Sequence, residues 1–87
     1  MNTYDEGQLV FSEGDSSNFV GYIFLGEAEV FKNHGDGTVT IGQLNAGEYF
    51  GEMAAIEGRN HSASVRASSA LTVELIERSA FLERVSQ

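Results

Sequence analysis

Short apolar runs alternate with clusters of turn-forming residues along this chain. "QLVF" (Gln8 to Phe11) is a strand candidate, followed by "SEGDSSN", whose Gly, Asp, Ser and Asn specify a turn. The apolar and aromatic run "FVGYIFLGEAEVFK" predicts two strands, Phe19 to Leu25 and Ala28 to Lys32. Gly26 between them reads as a turn or bulge at which a side chain would clash. Asp36 and Gly37 in "NHGDGT" predict a hairpin whose second arm runs from Thr38 to Leu44.

After the turn "NAGEYFG" the pattern changes. Glu52 to Ile56 predicts a short helix, because methionine and alanine favour one and no β-branched residue precedes Ile56. "EGRNHS" reads as a loop, and "ASVRA" and "LTVELI" as two more strands. "SAFLERV" predicts a C-terminal helix with Ser79 as its cap and Phe81, Leu82 and Val85 at helical spacing. Many short strands, a helical turn and a final helix predict a mainly β fold. The expected form is a small antiparallel β-barrel or jelly roll (double-stranded β-helix) with a short central helix and a C-terminal helix.

Composition narrows this picture. A chain of 87 residues supports one core and no second. Ten glycines and no proline fit tight turns that need positive φ. The absence of cysteine excludes a disulfide framework and a thiolate metal site. No apolar run approaches the roughly 20 residues that span a bilayer. "MNTYDEGQ" lacks the basic and apolar regions of a secretory signal, so a soluble cytoplasmic module is expected.

Thirteen acids against five bases give a formal charge of −8, which repels nucleic acid and anionic membranes and makes neither an expected partner. The bases are unevenly placed: Arg59 and Arg66 flank His61, and this is where an anionic ligand is expected. Just before it, Gly51 precedes Glu52, Met53 and Ala54. A glycine there permits close approach of a ligand, and the first amides of a helix present unpaired donors to an anion.

The whole stretch "GEYFGEMAAIEGRNHSASVRA" (Gly47 to Ala67) closely resembles the phosphate-binding cassette of cyclic-nucleotide-binding domains, the type found in catabolite activator protein and the protein kinase A regulatory subunit. That cassette reads F-G-E, a small or apolar pair, a loop, P-R, small residues and a valine strand. "FSEGD" resembles the family's early turn, "YIFLGEAEVF" its central strand pair, and "ALTVELIERSAFLERV" its last strand and following helix. The resemblance implies a non-catalytic regulatory module that binds cAMP or cGMP and reports occupancy to an effector domain or partner protein outside this chain. It leaves a homodimer open.

Carried over by resemblance, Glu52 accepts a hydrogen bond from the ribose 2′-OH, the Met53 and Ala54 amides face the phosphate, and Gly51 lies against the sugar. Ser62 reaches a phosphate oxygen or the base amino group, and Ala63 and Ser64 are the small residues beside the ligand. Plainer readings stand beside these. Glu52 is also an acid suited to the first turn of any helix, and Ser62 is also a loop serine able to satisfy its own backbone.

One departure matters. The family's P-R pair is replaced by Asn60 and His61. Arginine is always charged and grips two phosphate oxygens, whereas histidine offers one donor per nitrogen and is mostly neutral near pH 7. Losing a charge-assisted hydrogen bond of about 1.5 to 3 kcal/mol weakens binding roughly 10- to 150-fold. Two rescues are open: Arg59, two residues away on the same face of an extended stretch, can turn toward the ligand, or the phosphate can keep His61 protonated. Alternatively, His61 simply packs beside Ala63 and Val65.

His34 lies in the polar hairpin turn and has no clustered partners, so no metal ligand set is expected. The chain ends after "SAFLERVSQ", where related domains continue into helices that cover the base. Residues 1–87 are therefore expected to form a single truncated or minimal domain without those lid helices. The competing function is a degenerate domain that keeps the fold as an interaction or assembly module and binds no nucleotide. A cupin-like metal enzyme would need a histidine pair that the sequence lacks.

Overall fold

The computed structural model describes residues 1–86, which form eight strands and two short helices. In chain order these are β1 (Asn2–Tyr4), β2 (Leu9–Phe11), β3 (Phe19–Leu25), β4 (Glu27–His34), β5 (Gly37–Asn45), β6 (Tyr49–Phe50), α1 (Glu52–Glu57), β7 (Ser64–Ala67), β8 (Leu71–Glu77) and α2 (Arg78–Val85). They build two four-stranded sheets, ordered β1-β8-β3-β6 and β2-β7-β4-β5, with every pairing antiparallel.

Alternation along the strands decides which side chains meet. Leu71 and Val73 of β8 and Ile23 of β3 come from one sheet. Phe11, Ala28, Val65 and Ala67 come from the other, and together with Phe50 they form the main core. A second cluster joins Val20 and Ile76 to Ala55 of α1 and Phe81 of α2, so both helices are fastened to the same sheet. Gly21 leaves room for Phe50, whose ring would lie 2.1 Å from a Cβ built there.

The mainly β, jelly-roll expectation holds, but closure into a barrel does not: the ladders remain two separate sheets. A closed barrel needs continuous pairing around every strand, and β1, β2 and β6 are only three, three and two residues long. The sequence pattern did not anticipate β1 or β6. It placed the hairpin turn at Asp36–Gly37, whereas the turn residues are Gly35 and Asp36, with His34 paired to Gly37. Gly35 has φ +59° and no non-glycine residue among the described residues has positive φ, the pattern of a loop with glycine at its first central position.

Gly26 behaves as expected, with φ +91° and the Ala70 carbonyl oxygen 2.1 Å from any added Cβ. Ser79 does not cap the last helix. The helix starts at Arg78, with Glu77 at the cap position, because the Arg78 N–H donates to Asn18 O (2.8 Å) and its Nε donates to Ala55 O (2.8 Å), drawing the first turn back by two residues. No helix among the described residues is long and apolar enough to cross a membrane.

Candidate functional site

Gly51 turns β6 into α1 with φ +80° and ψ +3°, a left-handed conformation that glycine adopts without steric cost. The helix that follows buries Ala54 and Ala55 and exposes Met53 and Ile56. It stops at Gly58, also left-handed, whose N–H donates to Ala54 O. Ala55 N–H returns to Gly51 O at 3.3 Å. The amides of Glu52, Met53 and Ala54 precede the first intrahelical bond and have no acceptor within the helix.

A cavity of about 150 Å³ opens beside this turn. Gly51, Glu52, Met53 and Ala54 line it from the helix end, Arg59, His61, Ser62 and Ala63 from the following loop, and Phe11, Val30, Phe50 and Val65 from the strands. Two buried side-chain polar atoms among the described residues have no hydrogen-bond partner, Glu52 Oε2 and His61 Nε2, and both residues border this cavity. A buried polar atom left unsatisfied costs about 1–3 kcal/mol, so two such atoms at one cavity mark a place shaped for something other than the fold itself.

His61 is held firmly. It is 6% exposed, and its ring stacks on Phe11 with centroids 4.3 Å apart and planes 14° from parallel. Its N–H donates to Asp15 O and its carbonyl accepts from Gly14 N–H, each at 2.8 Å. Burial pushes the imidazole below the ordinary histidine value; Asp15 opposes this and Arg59 adds to it. The free site therefore carries His61 as a neutral ring near pH 7.

The two flanking arginines do not supply the charge expected of them. Arg59 borders the cavity, but its guanidinium is paired with the Glu57 carboxylate and both side chains are exposed. Arg66 lies elsewhere: it pairs with Glu29, holding that carboxyl below its usual range, and covers the Phe31 ring at 4.3 Å. Alternation explains the difference, since Val65 and Arg66 must face opposite sides of β7 and Val65 takes the inner one.

Ser62 is exposed and Ala63 half-buried, and both line the cavity. Ser64 is absent from the lining; its buried Oγ accepts the Glu13 N–H at 2.8 Å and so ties β7 to the turn after β2. His34 sits exposed at the end of β4, and the described residues contain no group of three or more potential metal ligands. Phe11, Val30, Phe50 and Val65 line the cavity without having been predicted as site residues, and of these Phe11 stacks on His61. A phenylalanine closing a three-residue strand carries no local sign that it will meet a histidine in a distant loop.

The family model for the cyclic nucleotide-binding domain matches residues 1–87. The chain belongs to the cyclic nucleotide-binding domain family. Within it, this domain is 38% identical to the cAMP-dependent protein kinase regulatory subunit of Schizosaccharomyces pombe over 78 residues, 90% of this chain and 18% of that protein. It is 36% identical to the type II regulatory subunit of Drosophila melanogaster over 66 residues, 76% of this chain and 18% of that protein. The domain thus spans less than a fifth of these curated relatives.

Among solved structures, the EAL enzyme Bd1971 in its cAMP-bound form superposes with a TM-score of 0.91 at 34% identity, over 99% of this domain and 23% of that chain. The catabolite activator protein of Thermus thermophilus gives 0.86 at 27% identity, over 98% of this domain and 40% of that chain.

Proposed function

We propose that this domain is a regulatory module that binds a cyclic nucleotide, cAMP or cGMP, in the cavity beside α1. The observation that carries the reading is the pair of unsatisfied atoms, Glu52 Oε2 and His61 Nε2, at one cavity lined by the start of a helix. Glu52 accepts a hydrogen bond from the ribose 2′-OH. The Met53 and Ala54 amides and His61 take the phosphate, Gly51 admits the sugar, and Ser62 and Ala63 lie along the ligand. Ser64 supports the loop from behind, and Arg59 stays with Glu57. Relatives solved with cAMP or with cGMP support both nucleotides as candidates.

Neither Glu52 nor His61 is assigned a catalytic step, since each has a binding role. Occupancy would shift the population of helix positions. A displacement of α1 reaches α2 directly, because Ala55 packs with Phe81 and accepts from Arg78 Nε. The receiver would be an effector domain or partner protein outside this chain.

One observation favours a second reading, a degenerate module that binds no nucleotide: the cavity borders no unpaired charged cation, with Arg59 engaged and His61 neutral. Calorimetric titration of the wild type and His61→Arg with cAMP and cGMP separates the two. Measurable wild-type binding strengthened roughly 10- to 150-fold by His61→Arg supports the sensor. No binding by either protein supports the degenerate module.

A further inference from the structure

A cyclic phosphodiester is a monoanion across the whole range in which histidine titrates, so a site that buries one needs a positive charge nearby. The charged and titratable groups facing His61 are few. From the loop before β3 comes Asp15, whose carboxylate accepts the Ser12 N–H at 3.0 Å and whose main-chain oxygen accepts the His61 N–H. From α1 comes Glu52, and from the loop after it Arg59, paired with Glu57. The neighbours contributed by the strands, Phe11, Val30 and Val65, carry no charge. The surroundings are therefore two carboxylates, one arginine already neutralised, and an imidazole with a buried nitrogen that lacks a partner.

We infer that ligand binding at this cavity takes up one proton at His61 Nε2, making capture of a cyclic phosphodiester tighter on the acid side of neutrality. This rests on the cyclic-nucleotide reading and adds its regulation. The step forms one N–H bond with a proton drawn from solvent, and the imidazolium then donates to a phosphate oxygen. In the free site, burial favours the neutral ring; an anion at bonding distance reverses that preference. Between the free and the bound titration points each ligand brings a proton with it. An arginine in this position, always charged, would show no such coupling.

The test is calorimetry with cAMP and with cGMP at about pH 6, 7 and 8, each in two buffers of different ionisation enthalpy, so that the protons taken up per ligand are read directly. We expect wild-type uptake approaching one proton and an affinity falling by up to about tenfold per pH unit within the window. His61→Arg should bind without uptake, and His61→Gln should bind more weakly without uptake. The chain has two histidines, so the His61 ring signals in proton NMR, assigned by their loss in His61→Gln, report protonation independently of that variant's stability. Wild-type binding with no proton uptake, the result if Arg59 leaves Glu57 to supply the charge, overturns the inference and leaves the sensor reading intact. Full uptake retained in His61→Gln overturns it as well. Absence of binding by both wild type and His61→Arg removes the sensor reading and the inference together.

Discussion

Gly51 and His61 fit against each other only because Gly51 lacks a side chain: a Cβ there would lie 2.9 Å from His61 Cε1 and 3.0 Å from Phe11 Cε2. The left-handed turn into α1 and the stacked imidazole are thus one packing unit, and a change at either is felt at the cavity.

Gly51→Ala should therefore cost stability twice, through positive φ and through the crowded ring, about 1–3 kcal/mol in total. Gly47 is a control, because it has φ +92° with open space around its would-be Cβ. Gly47→Ala carries only the backbone part. Urea denaturation of both variants should show the larger loss for Gly51→Ala; equal losses would mean that the ring moves aside freely.

Glu52→Gln keeps the shape of the side chain and removes its charge. With one unsatisfied buried oxygen in the free protein, the carboxylate contributes little to folding, so the thermal midpoint should hold or rise. Cyclic-nucleotide affinity should drop roughly 5- to 15-fold, as a charge-assisted hydrogen bond to a ribose hydroxyl becomes a neutral one. Calorimetry against cAMP and 2′-deoxy cAMP sharpens the result, since the variant, left with a neutral amide oxygen as acceptor, should distinguish them less than the wild type does.

Stability of the free protein should depend on pH through His61. Its folded-state titration point is depressed, chiefly by burial, so on acidification the unfolded chain takes up the proton first. The contribution is complete above about pH 6.5 and is lost as pH falls from there through the folded value. Urea midpoints measured from about pH 7.5 down to 5.5 should decline for the wild type and flatten in His61→Gln. Glu29, held below the usual carboxylate range by Arg66, adds its loss only in more acidic solution, which keeps the two effects apart.

Gly21 and Phe50 form a second pair joined by a missing side chain, with the ring 2.1 Å from a Cβ built on Gly21. Gly21→Ala should destabilise by about 1–3 kcal/mol through overpacking. Trimming the ring in the double variant Gly21→Ala, Phe50→Leu should recover part of that loss. Additive costs in a thermal-denaturation cycle would show that the two residues do not share their space.

Most of the long strands were legible because alternation and turn residues are local. Phe19 to Leu25 coincides with β3, and the helix after Gly51 extends only one residue beyond its predicted end, to Glu57. β1 and β6 were not legible, since two or three residues carry no period and their pairing depends on β8 and β3. The start of α2 was misplaced for a similar reason. Ser79 looked like a cap locally, but Asn18 and Ala55 anchor Arg78 from far along the chain.

The sequence by itself determined the family and the place of His61 in the loop after α1, because these are fixed by residue identity and spacing. Only the tertiary structure decided what that histidine meets. Phe11, Asp15 and Gly51 converge on it, Arg59 is drawn to Glu57, Arg66 to Glu29, and Ser64 to the backbone of Glu13. Whether a polar atom finds a partner depends on segments brought together by core packing, and no local pattern of residues encodes that encounter.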